Sequence, residues 1–198
     1  GSWGSGSWGS AGSEGTLSLT PALSQLLAQS IHGRLRFHPD RDLLRKIIEV
    51  TALLGAAVEY NLLVVVAEED VSSDLIEPLL VQLVQLGILV SDGPADQERF
   101  LLSPPLLRDY YLESMEPERL VELHGRAIEG YLTLWPEEIG PISGVLGDHY
   151  AGAGNSEQAA QSWLDAFDFQ FHHGDPLRAA HWGKKVMEIL GTEDIRSV

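Results

Sequence analysis

Between Arg41 and Pro104 the apolar residues fall into three runs at helical spacing, followed by two short runs of strand length. In "RDLLRKIIEVTALLG", Leu43, Leu44, Ile47, Ile48, Val50, Leu53 and Leu54 make a broad apolar face. Asp42 is placed to cap this helix and Gly55 to stop it. "NLLVVVAEED" is apolar on all sides. Val64, Val65 and Val66 suit a strand, but Asn61 is a good cap, and the run is read as a buried helix. The third run sets Ile76, Leu79, Leu80, Leu83, Val84 and Leu86 on one stripe, with Glu77, Gln82 and Gln85 facing out. Ser72 or Ser73 caps it, Gly87 ends it, and Pro78 marks its start or a bend. "ILV" and "RFLL" then flank the polar segment "SDGPADQE", the pattern of a β-hairpin.

Three helices and a hairpin, in that order, predict a winged-helix domain over residues 41–104. Residues 1–15, "GSWGSGSWGSAGSEG", bury too little surface to offset the entropy of ordering, so they are read as a flexible linker or tag. Residues 16–40 hold one helix and a connector. Thr20 caps that helix ahead of Pro21, Leu23, Leu26, Leu27 and Ile31 share a face, and Gly33 loosens its end before Pro39 breaks the pattern. Residues 105–140 are linking helices. A short one carries Leu106, Leu107, Tyr110 and Tyr111; a longer one, with Pro117 in its first turn, buries Leu120, Leu123, Ala127, Ile128, Tyr131 and Leu134. "PEEIGP" is a connector.

Residues 141–198 read as helical pairs that each end in glycine, at Gly154, Gly174 and Gly191. Leu146, Gly147 and Tyr150 match the L-G-x2-Y element of a tetratricopeptide repeat, and Ala159 and Trp163 match its A-x3-F element. "GNSEQAA" and "GDPLRAA" hint at a second unit twenty residues on. Such arrays need about three repeats for stability, so this tail either begins a longer array or packs on the winged helix. The fold class expected is mostly α.

Net charge changes the picture of partners. The chain has 198 residues and a formal charge of −16, spread along its length. That balance repels phosphates and anionic membrane surfaces. No stretch approaches the roughly 18 apolar residues of a membrane span, no secretory signal is seen, and cysteine is absent. A cytoplasmic setting is expected.

The order of phrases "IIEVTALLG", "LVQLVQLGILV", "RFLLSPPLLRDYYLESM", "RLVELHGRAIEGYL" and "DHYAGAGNSEQAAQSWLDAF" resembles the region that follows the nucleotide-binding core in bacterial STAND-type ATPases. These are AAA-related signalling NTPases that include MalT-like activators. The likeness covers residues 20 to 190. It implies a lid-like helix in 16–40, a winged helix, tetratricopeptide-like pairs, and a protein partner in the form of an upstream nucleotide-binding domain of the same polypeptide. The chain departs from that family in two places. It has no G-x-x-x-x-G-K-[ST] loop, and it reads "LLSPPLLRD" where the family commonly carries a histidine after the wing. The family's nucleotide-contacting residues are therefore not carried over.

No catalytic, cofactor or metal site is expected. His172 and His173 are adjacent and share no helix face, and no H-E-x-x-H, G-x-S-x-G or calcium loop occurs. His124 and His149 are read as packing or hydrogen-bonding residues, and Glu68, Glu69 and Asp70 as a solvated loop. Phe167, Phe169, Phe171, Trp163 and Trp182 crowd the last helices as inter-repeat core or as a patch for another protein. Asp148, Phe171 and Trp182 are the candidate protein-contact residues. The expected role is a non-enzymatic regulatory and protein-interaction module. Its rivals are a DNA-binding winged-helix regulator, a free-standing repeat adaptor and a free-standing enzyme. The DNA reading suffers because the third helix carries Asp74 and Glu77 with no lysine or arginine. Residues 41–103 hold eleven acidic and four basic side chains, a balance of −7.

Overall fold

The structure, a computed structural model, describes residues 19–94 and 98–196. The linker read over 1–15 and the segment 95–97 between the hairpin strands lie outside the described residues. In chain order come α1 (Leu19–Leu35), α2 (Arg41–Leu54), β1 (Val58–Glu59), α3 (Tyr60–Ala67), α4 (Ser73–Gln85), β2 (Leu89–Asp92) and β3 (Arg99–Leu102). There follow α5 (Leu107–Ser114), α6 (Pro117–Leu134), α7 (Ile139–Gly152), α8 (Ser156–His172) and α9 (Pro176–Arg196). The described chain is mostly helical with one small antiparallel sheet in the order β1-β3-β2.

The main core forms around α2. Every residue from Ile47 to Leu54 is buried, because α3, α4, α5, α6 and β3 all pack on this helix. Each fully buried leucine or isoleucine there contributes about 1.5–3 kcal/mol. The buried Thr51 hydroxyl donates to the Ile47 carbonyl at 2.7 Å, so it carries no desolvation penalty into the core. Asp42 does not cap α2. The ladder starts earlier, with Leu44 N–H donating to the Asp40 carbonyl, and the Asp42 carboxylate pairs with Arg41 instead.

The valine run forms a helix, α3, burying Leu62, Leu63 and Val66. Asn61 lies inside its first turn, not at the cap, because Glu59 is held extended in β1 and the chain turns straight into the helix. β1 was not predicted from the sequence. Its two residues pair with β3, Val58 opposite Phe100 and Glu59 opposite Arg99, and two residues show no alternation to read.

α4 runs through Pro78, which neither starts it nor stops it. Ser72 occupies the cap position, but its hydroxyl goes to the Asp74 carboxylate. Gly87, at φ +66°, closes the helix: its N–H meets the Val84 carbonyl and Ile88 N–H meets the Leu83 carbonyl, both at 2.9 Å. Ile76, Leu79, Leu80 and Leu83 are buried as predicted, whereas Val84 turns outward and is 36% exposed. β2 and β3 form the hairpin, with Leu89 opposite Leu102 and Ser91 opposite Phe100; Leu89, Phe100 and Leu102 are buried and Ser91 is exposed.

α1 departs further from expectation. It is already helical at Leu19, so Thr20 lies within it, and it passes Gly33 to end at Leu35. Leu23 and Leu26 are exposed, because α1 is held at its C-terminal end: Ile31 and Leu35 are buried and His32 meets Tyr110 and Tyr111 edge-on. Past the sheet, α5 buries Leu107 and Tyr111, and α6 begins on Pro117 and buries Leu123, Ala127 and Ile128.

The last three helices pack in sequence, α7 on α6, α8 on α7 and α9 on α8. α7 starts at Ile139, inside the expected connector, since Pro141 falls in the first turn where no N–H bond is needed. The two turns between these helices repeat bond for bond. Gly154 and Gly174 sit at φ +80° and +78°. Asn155 N–H donates to Tyr150 and Asp175 N–H to Gln170, while the Asn155 and Asp175 side chains accept from Gln158 and Arg178 N–H. Ala159 and Ala179, twenty residues apart, are both buried. Gly191 ends nothing, because α9 continues to Arg196.

Candidate functional site

Of the three contact residues read from the sequence, the fold joins two. Glycines on α7 let aromatic rings lie directly on its backbone. A Cβ at Gly147 would fall 2.3 Å from Trp163, and one at Gly144 would fall 2.3 Å from Trp182. Trp163 is thereby buried against Ala159 and Val186, and its indole Nε1 donates to Asp148 Oδ1 at 2.9 Å. Lys185 Nζ donates to the same oxygen at 2.6 Å and stands 5.1 Å from the Trp163 ring and 5.2 Å from the Trp182 ring. Asp148 and Trp182 are thus tied through Lys185, a residue the sequence reading did not single out. Phe171 stands apart, 61% exposed and stacked on Phe167.

A second surface lies on the outer side of α4. Glu77, Val81, Val84 and Gln85 form a stripe at helical spacing, distinct from the buried one. With Tyr60, Leu80, Ser91, Glu98 and Phe100 they line a groove of about 500 Å³. Ser91 is exposed at the edge of this groove, and its hydroxyl donates to the Glu98 carboxylate. The groove has an apolar floor and two carboxylates, with no lysine or arginine in its lining. Sequence reasoning placed Val84 in the core and so missed it; Val81, at the i+4 position from Glu77, was the available signal.

The acidic run after α3 is not simply solvated. Asp70 binds both Arg119 and Arg126 of α6, at 2.7 Å to Arg126 Nη1. Glu69 pairs with Arg126, and the buried Glu49 of α2 with Arg45 and Arg119. Burial pushes the Asp70 pKa up, but Arg119 and Arg126 outweigh it and hold the carboxyl below its ordinary value. This network clamps α6 to the three-helix core. Its signal was the Arg119, Glu122, Arg126 spacing, which places three charges on one face of α6.

His124 and His149 meet as a pair across α6 and α7, Nδ1 to Nδ1 at 2.9 Å. Gly152 makes room for the His124 ring. His149 is 4% exposed, and burial, with the His124 charge next, pushes its pKa down to about 4. His172 and His173 each place Nδ1 2.7 Å from a main-chain carbonyl four residues earlier, as helix-end residues. Among the described residues no group of three or more histidines and carboxylates is arranged to hold a metal ion. None of the described helices is long and apolar enough to cross a membrane.

Comparison of the chain with protein-family models, curated protein sequences and solved structures finds no match.

Proposed function

We propose that the chain is a non-enzymatic regulatory and protein-interaction module of a STAND-like signalling ATPase, acting in the cytoplasm. Residues 41–104 are the winged-helix domain and residues 141–198 the tetratricopeptide-like pairs, with α5 and α6 linking them. The reading rests above all on the outer face of α4. In a winged helix this is the face offered to a partner, and here Val81 and Val84 lie exposed between Glu77 and Glu98. DNA recognition requires cations for phosphates and donors for base edges, so this face suits a protein with basic groups. The two matching turns and the glycine–tryptophan contacts of α7 support the repeat reading of the tail.

The partner in this reading is a nucleotide-binding domain of the same polypeptide, and the module itself needs no cofactor and contacts neither nucleic acid nor membrane. The reading frame ahead of residue 1 in the gene tests it. A G-x-x-x-x-G-K-[ST] loop between a strand and a helix is expected there. A frame that opens without one contradicts the ATPase assignment and favours a free-standing adaptor.

A further inference from the structure

A second groove, of about 470 Å³, lies where the end of α1 meets the start of α2 and the side of α5. Its polar lining is unlike the rest of this acidic chain. Gln29, His32, Arg36, Arg41, Arg45 and Tyr111 contribute every polar side chain in it, and no carboxylate is among them. Three of the chain's 13 lysines and arginines therefore converge on one depression in a molecule of charge −16.

The cations there are not consumed by internal pairing. Arg41 pairs with Asp42, its own neighbour, and both side chains are largely exposed, so that contact is weak. Arg45 uses Nε for Glu49, which leaves its two terminal nitrogens. Among the described residues Arg36 has no carboxylate within ion-pair distance and lies 5.4 Å over the Phe37 ring. Gly33, also in the lining, has open space where a side chain would stand.

Tyr111, 2% exposed, closes the side of the groove formed by α5, and its hydroxyl is buried behind the ring.

We propose that this groove binds a small phosphate-bearing anion, with Arg36, Arg41 and Arg45 as its charge partners. Several separated guanidiniums favour a group with several charged oxygens over a single carboxylate, which one arginine fork would satisfy. The inference concerns this chain alone and stands whether or not an ATPase domain precedes it.

Calorimetric titration of the full chain with pyrophosphate at low salt tests it. Binding below millimolar is expected. Arg36→Gln and Arg41→Gln should each weaken it about fivefold or more, the size of one lost charge-assisted contact. Arg178→Gln, on an exposed arginine of α9, should leave it unchanged. No binding, or equal weakening by Arg178→Gln, overturns the site. Citrate bound as tightly as pyrophosphate overturns the phosphate assignment.

Discussion

Single residues in this chain act mainly through what they are pressed against. His149 is the sharpest case, since it is buried beside a second histidine and kept neutral. Its folded pKa lies below the ordinary value of 6.5, so the unfolded chain binds the proton first as pH falls. The stability His149 contributes is fully present above pH 6.5 and is lost as pH drops toward 4, a loss of roughly 3 kcal/mol. Melting curves from pH 7.5 to 4.5 should therefore fall less steeply for His149→Gln than for the wild type. Parallel curves would mean the imidazole is not kept neutral. The sequence marked His124 and His149 as packing residues but did not pair them, because 25 positions separate them and only the approach of α6 to α7 brings them together.

At the scale of elements the tail is the most exposed to change, because its own buried cluster is small: Ala159, Trp163 and Val186, with Tyr150, Trp182 and Ile189 packed on it. Trp163→Ala should cost about 3–5 kcal/mol, read as a lower melting temperature. Gly147→Ala should cost about 1–3 kcal/mol, since the new Cβ would overlap the Trp163 ring. Combined, the two changes should cost less than their sum, because removing the ring removes the clash. Strict additivity would show that the ring and Gly147 are not in contact.

Helix existence and type were legible along the described residues, including α3 despite its three valines. Caps were not, at Asp42 and Asn61, because the flanking chain decides where a ladder starts and two candidate residues look alike in sequence. The stripe of α4 was read one position too wide, which hid Val84 and with it the groove. Leu23 and Leu26 looked like core because periodicity marks an apolar face without saying what covers it.

The role proposed for the whole molecule is binding and relay, without a reaction of its own. The purified chain should show no ATP turnover above a buffer blank, since it lacks the loop that cradles a triphosphate. A turnover that co-purifies with the chain and disappears on its mutation would contradict that. In the proposed function the face of α4 meets protein and not DNA. Fluorescence anisotropy of a labelled random duplex at low salt tests it most directly, because counterion release makes such conditions the most favourable to any DNA binder. No rise in anisotropy is expected through the micromolar range. Salt-sensitive binding in that range, weakened by substitutions within residues 72–86, would contradict it and make the chain a DNA-binding regulator.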